Sequence, residues 1–159
     1  MDETPWYDQI VMPALLRHAR ATYGQAMRRA LAEAGYDDIP ANGLYIIGGL
    51  AIDREGITIG QLVRELRVTK QAAGQLVDTL VLRGYLDRTI DAEDRRKLIV
   101  TLTPRGQAAA ETQGAARDRI DAELANRVSP DDIAATRRTL AALIEIGQRN
   151  REDAQTSPD

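Results

Sequence analysis

The chain has 159 residues, no cysteine, and a net charge of −3 from 21 Lys and Arg against 24 Asp and Glu. That length supports a single domain burying roughly 68–70% of its unfolded surface, and the lack of cysteine excludes disulfides, thiolate metal sites and thiol redox sensing. No apolar run approaches the ~20 residues of a membrane span, and the acidic start lacks the basic region of a signal peptide, so a cytoplasmic protein with no membrane partner is expected.

Residues 1–5 read as a frayed end. From about Trp6 to Ala34 the pattern is helical, with Leu16, Ala19, Tyr23, Met27, Ala30 and Ala34 near one stripe and Arg17, Arg20, Arg28 and Arg29 off it. Pro13 marks a kink or the first turn, and Gly35 ends the helix. A seam this long suggests a partner helix. Asp37-Asp38-Ile39-Pro40 is a turn into a second helix, about Ala41 to Ile52. Its Gly43, Gly48 and Gly49 each cost ~1 kcal/mol against Ala at exposed helical positions. They either allow close helix packing or leave room for a ligand beside Tyr45. Asp53 to Gly56 is the turn into the next segment.

Thr58 to Thr103 is the most informative stretch. Thr58 with Gln61 fits a capping box opening a short helix to about Leu66. Arg67-Val68 is a tight turn, and Thr69 caps a longer helix that runs to Arg83 and stops at Gly84, with Tyr85 packing back on its end. Leu76, Val77 and Leu80 would bury one face. Lys70, Gln71 and Gln75 fall opposite, with Ala73 and Gly74 near them. Tyr85 to Arg88 and Leu98 to Leu102 have strand character, joined by the charged tip Asp91-Ala92-Glu93-Asp94-Arg95-Arg96-Lys97. Two helices, a hairpin and a charged tip in this order describe a winged helix-turn-helix, which places its second helix in a DNA major groove.

The charge is polarised accordingly. Residues 54–106 hold 10 Lys and Arg against 7 Asp and Glu, net +3, whereas the remainder nets −6, so the acidic total does not argue against nucleic acid. Beyond the wing, Thr103-Pro104 starts a long helix to about Arg127, with Ala109, Ala116, Ile120, Leu124 and Val128 on a stripe. Ser129-Pro130-Asp131-Asp132 starts the last helix, lined by Ile133, Leu140, Leu143, Ile144 and Gly147. Residues 150–159 read as polar and disordered.

The runs Thr69 to Leu80, Arg83-Gly84-Tyr85-Leu86, Asp91 to Lys97 and Leu102-Thr103-Pro104-Arg105-Gly106 together resemble the multiple antibiotic resistance regulator (MarR) family. The motif likeness spans residues 58–106 and the architectural one about 7–150. The resemblance implies a mainly α fold with a small β-hairpin wing: a winged helix-turn-helix module at 54–106 flanked by long dimerisation helices at 6–35 and 107–149, in one domain over 1–159. It also implies a homodimeric, sequence-specific DNA-binding transcription regulator, a ligand-responsive repressor on a near-palindromic operator.

The expected DNA-binding residues are Thr69, Lys70, Gln71, Gln75, Arg88, Asp94, Arg95, Arg96 and Lys97. Gln reads an adenine edge in two bonds, and Lys reaches a phosphate or a guanine; the bland reading of this helix face is a solvated surface. A wing arginine suits a narrow minor groove, and the family likeness favours Asp94 holding Arg96 by a two-bond contact, with Arg95 at a phosphate or the groove edge. Residue chemistry alone does not separate the two arginines. Arg88 and Lys97 are phosphate contacts or solvated strand ends. Arg64 and Arg67 are surface charges or backbone contacts.

His18, the only histidine, has no acidic residue one helical turn on, so no metal site is expected. With Tyr23 and Tyr45 it is the candidate set for a small anionic or aromatic effector; the competing reading is core or dimer packing. No phosphate loop, nucleophile elbow or metal motif points to an enzyme or a cofactor. The second function reading is a helical protein-interaction module using the winged surface without DNA.

Overall fold

The computed structural model describes residues 4–52 and 56–156; the expected turn at residues 53–55 and the extreme termini lie outside them. Two compact units form, residues 1–118 and 119–159, and each is taken by itself.

In the first unit a single 3-10 turn, Trp6–Gln9, precedes α1, Met12–Glu33. Of the two readings of Pro13, the first turn is the one observed: Val11 is extended and α1 begins only at Met12, so the helical pattern expected from about Trp6 is interrupted there. The buried face of α1 is also narrower than its stripe suggested. Gly24 and Leu31 are buried and Met27 packs on the core between them, but Ala19 is exposed. Gly35 (φ +82°) ends the helix, with Tyr36 N–H bonded to Leu31 O and Gly35 N–H to Ala32 O, a complete left-handed helix stop.

Helix α2, Gly43–Ile52, is almost wholly apolar and carries Leu44, Ile46, Ile47 and Leu50 into the core. Two of its glycines serve packing. A Cβ on Gly48 would sit 2.6 Å from Gln113 Nε2, and one on Gly43 would press on Ile39, Leu80 and Pro40 at 3.0–3.3 Å. Gly49 is different, with nothing within 4 Å.

The winged module follows as β1 (Ile57–Thr58), α3 (Ile59–Leu66), α4 (Lys70–Leu82), β2 (Leu86–Ile90) and β3 (Leu98–Leu102). The expected hairpin is β2–β3. It gains a third strand, because β1 pairs antiparallel with β3, Ile57 opposite Val100 and Thr58 opposite Ile99. A two-residue strand leaves no alternation to read. Thr58 closes that strand and caps α3 at once: its Oγ1 accepts from Gln61 N–H, and its own N–H donates to Gln61 Oε1 at 2.7 Å. Arg67, between the two helices, is left-handed (φ 55°), a conformation costing a non-glycine roughly 1–2 kcal/mol. Val77 and Leu80 of α4 meet Leu62, Tyr85, Leu86 and Val100 in a core shared with α1, α2 and α5.

The end of α4 is held from outside the module. Gly84 (φ +76°) lets Tyr85 N–H return to Leu80 O. The fully buried Tyr85 then donates its hydroxyl to Asp38 in the α1–α2 loop. Arg105, from α5 (Pro104–Ala125), donates to the Tyr85 oxygen at 2.9 Å and lies 3.6 Å from the Asp38 carboxylate, its guanidinium 4.6 Å above the Tyr85 ring. Arg83 donates to the Asp38 main-chain oxygen. The Tyr85 hydroxyl, and then the Arg105 charge against an opposing desolvation, hold the Asp38 carboxyl below its ordinary 3.8. A depressed carboxyl contributes stability above its unfolded pKa and loses it as pH falls through the lower folded value. Circular-dichroism melts below about pH 4 should therefore show a weaker acid dependence in Asp38→Asn than in the parent chain. Equal dependence would mean that Asp38 does not contribute to acid sensitivity.

In the second unit the end of α5 turns at Ala125 into α6, Pro130–Thr156. Ser129 caps it, its Oγ accepting from Asp132 N–H at 3.1 Å while Asp132 accepts from Ser129. The expected disorder from residue 150 is corrected as far as Thr156, which is helical. Gln, Arg, Glu and Ala are good helix formers, and no proline interrupts them before Pro158. No described side chain of α6 is buried; Leu140, Leu143, Ile144 and Ile146 are 37–55% exposed. No helix among the described residues is long and apolar enough to cross a membrane.

Candidate nucleic-acid interface

Helix α4 presents its reading face through local chemistry. Thr69 caps it, Oγ1 accepting from Ala72 N–H at 3.1 Å. Lys70, Gln71 and Gln75 are exposed on one side, while Ala73, Val77 and Leu80 are buried on the other. The expectation that Ala73 shares the exposed face is corrected: it is fully buried and its small side chain seats the helix on the core. Gly74 stands beside the exposed residues, and a Cβ there would meet nothing within 4 Å.

The wing tip is folded on two aspartates. Asp91 Oδ1 accepts from the N–H groups of Glu93 (2.7 Å) and Asp94 (3.2 Å), which hold its carboxyl below the usual range. Asp94 Oδ1 accepts from Arg96 N–H at 3.1 Å, and its Oδ2 lies 3.7 Å from Lys97 Nζ. The expected two-bond contact between Asp94 and the Arg96 guanidinium is therefore replaced. A carboxylate two residues before an N–H in a tight turn bonds that N–H first. Arg95 and Arg96 are both exposed, and neither guanidinium has a protein partner among the described residues.

Arg88 stands at the base of the wing, on β2. It pairs with Asp78 on α4, tying the base of the wing to the helix. Lys97 borders a cleft of about 860 Å³ between the wing and the start of α3. Arg64, Lys70 and Arg96 line the same cleft, with Asp91 as its single carboxylate among the described residues and Thr58, Gly60 and Gln61 of the α3 N-terminus on its wall. Four cations and the positive end of a helix thus face one concave surface. Arg64 was left undecided by the sequence; only the antiparallel return of β3 beside β1 brings the wing opposite it. Arg95 is not among the lining residues.

The candidate effector residues lie on two helices, His18 and Tyr23 on α1 and Tyr45 on α2. Tyr45 lines a 60 Å³ cavity with Gly49, Ile57, Leu62, Glu65 and Leu66, and neither His18 nor Tyr23 is among its lining residues. The Tyr45 hydroxyl accepts from Arg20 Nε at 3.2 Å, and the Arg20 guanidinium sits 4.8 Å from its ring. Exposed His18 has Arg17 beside its ring at 3.5 Å, and Tyr23 is half-buried in α1.

Comparison with known proteins agrees with this architecture. Residues 47–97 match the sequence model of the MarR family. Over 100 residues, 62% of this chain, the sequence is 30% identical to the HTH-type transcriptional regulator PetP of Rhodobacter capsulatus, and the match spans 60% of that relative's length. Among solved structures, S. aureus MepR in a DNA-binding conformation superposes with a TM-score of 0.73 at 20% identity, over 86% of this chain and 98% of MepR. A MepR–DNA complex gives 0.69 at 20% identity with the same coverage. Wild-type E. coli MarR in its apo form gives 0.61 at 22%, over 84% of this chain and 96% of MarR. With its capped α3–α4 pair and three-stranded wing, the chain has the winged helix-turn-helix fold of these MarR-type structures, and its 47–97 segment matches the MarR family model.

Proposed function

We propose that the chain is a homodimeric, sequence-specific DNA-binding transcription regulator of the cytoplasm. The observation that carries this is the cleft in which Arg64, Lys70, Arg96 and Lys97 converge beside the exposed polar face of α4. A helix laid in a major groove with a wing over the next minor groove leaves one phosphate strand running between them. The cleft has the charge and position for that strand.

Gln71 and Gln75 then face base edges, with Thr69 and Lys70 at the backbone and Arg95 and Arg96 toward the minor groove. Arg88 acts through Asp78, and Asp94 through the shape of the tip. Glycine at 74, which no neighbour in the chain requires, lets the helix approach the bases closely. The relatives described as a transcriptional regulator and as a DNA complex support the same reading.

The exposed apolar side chains at both ends of the chain support pairing of two copies. Trp6, Val11 and Met12 are 50–70% exposed, and α6 adds Leu143, Ile144 and Ile146 at 41–55%. Two-fold pairing would set the reading helices about one DNA turn apart, ~34–36 Å, on a near-palindromic site. The chain then represses by occupying a promoter. An anionic or aromatic effector near Arg20 and Tyr45, with Tyr23 and His18 on the same helix as Arg20, shifts DNA affinity only through a preference for one spacing of the modules.

The test is a salt titration of binding, by fluorescence anisotropy, to a duplex selected from a random-sequence pool. A dimer neutralising about 6–10 phosphates loses roughly 10³-fold or more in affinity between ~50 and 200 mM salt. Absence of binding, or binding indifferent to salt, would sink the proposal and favour a protein-interaction module.

A further inference from the structure

Helix α4 is held at two ends by very different means. Its N-terminal end is capped by its own Thr69. Its C-terminal end is gripped by one residue from a distant loop, Asp38, which binds both Arg83 and Tyr85: the main-chain oxygen takes the Arg83 guanidinium, and the carboxylate takes the Tyr85 hydroxyl. Arg105 closes the arrangement from α5. It donates to Tyr85, pairs with Asp38 and stands 4.6 Å and 5.5 Å from the Tyr85 and Tyr36 ring centres.

We infer that Asp38 is a positioning residue for base recognition, a pivot clamp fixing the angle at which α4 leaves the protein. The inference rests on the DNA-binding function proposed above.

The side chains of Asp38 and Arg105 are 41% and 45% exposed, and ion pairs so exposed add little to stability. What the cluster supplies is direction. Three groups from two further elements, α5 and the end of α4, converge on one loop residue, and only one orientation of the helix end satisfies them all.

Leverage makes this matter for reading. A helix of 13 residues is about 20 Å long, so a change of about 5° at its C-terminal pivot moves its first turn by about 1.7 Å. Lys70 and Gln71 are in that turn. A hydrogen bond to a base edge is confined to about 2.7–3.2 Å, so such a displacement breaks it. Phosphate attraction falls off slowly with distance, and long Arg and Lys side chains follow a moving target. Loosening the clamp should therefore erode sequence discrimination and leave bulk DNA affinity in place.

The test compares Asp38→Ala with the parent dimer on two duplexes at one salt concentration: the sequence selected from a random pool, and a scrambled duplex of equal length. Tyr85→Phe, which keeps the buried ring and removes only the hydroxyl, is the second variant and decides the matter if Asp38→Ala does not fold by circular dichroism. The ratio of the two affinities is expected to fall at least about tenfold, with scrambled-duplex affinity kept within about twofold. An unchanged ratio in a folded variant overturns the clamp. So does equal weakening on both duplexes, which reports general damage. A parent chain that binds neither duplex fails before any variant is made, and takes the regulator reading down along with the clamp.

Discussion

Arg96→Ala is expected to weaken binding of the selected duplex by more than about tenfold, with no change in helical content or sedimentation; a single charge-assisted contact to nucleic acid is commonly worth ~1–3 kcal/mol. The side chain is exposed and lines the cleft opposite Arg64 and Lys70. Its guanidinium has no protein partner among the described residues, so its removal leaves no buried group stranded. The backbone N–H of residue 96 still meets Asp94 Oδ1 after the substitution, so the wing keeps its shape and the loss reports the guanidinium alone. The variant should also lower the salt slope of binding by roughly two units, the signature of one phosphate or groove contact fewer in each protomer. Unchanged affinity together with an unchanged slope would remove the wing from the mechanism and leave α4 as the sole reader.

Gly106→Ala should produce a large loss of stability in the first unit. Gly106 is in the first turn of α5, where helix propensity alone would favour Ala by ~1 kcal/mol. Packing decides the sign the other way. The added Cβ would fall 2.0 Å from the Tyr85 carbonyl oxygen and 3.0 Å from Leu102 Cδ2. The first neighbour is backbone, and that same oxygen accepts from Thr103 N–H at 3.1 Å, so it cannot retreat without breaking the joint between strand and helix. Overpacking of this kind costs about 1–3 kcal/mol or more, which in a chain of this size is a fall of roughly 2–12 °C in Tm. Thermal melts of the two proteins check it. Equal Tm values would show that α5 shifts freely against the β2 junction, and would also weaken the case for a fixed pivot at Tyr85.

What was legible in the sequence is chemistry that closes over three or four residues. Thr58 with Gln61, Thr69 with Ala72, Ser129 with Asp132 and the stop at Gly84 are all short-range exchanges between a side chain and nearby backbone, and each was where the residue types placed it. The order helix, turn, helix, hairpin then fixed the winged module, because few other arrangements bury Val77, Leu80 and Val100 together. What was not legible joins residues far apart in the chain. Tyr85 with Asp38 spans 47 positions and Gln113 with Leu44 spans 69, and no local pattern marks either pair. Asp38 in particular looked like an ordinary turn residue. The pairing of Arg88 with Asp78, ten positions away, escaped for a related reason: strand β2 runs back past α4, so the two meet only once the fold exists. In the wing, the family likeness paired Asp94 with the wrong part of Arg96. The likeness implied a side-chain contact, but the tight turn brought the backbone N–H nearer.

The two aspartate-centred turns of the wing have a kinetic consequence. Asp91 and Asp94 between them accept three tip N–H groups, and the backbone of Lys97 bonds to both Asp91 and Asp94. The loop is therefore already in a defined shape in the free protein. Ordering a segment on contact costs about 1–2 kcal/mol per residue, and here that entropy has been lost during folding rather than at encounter. A preformed probe of this kind engages a duplex as a rigid body, so sequence differences between targets should show mainly in how long the complex lasts, with association rates nearly uniform.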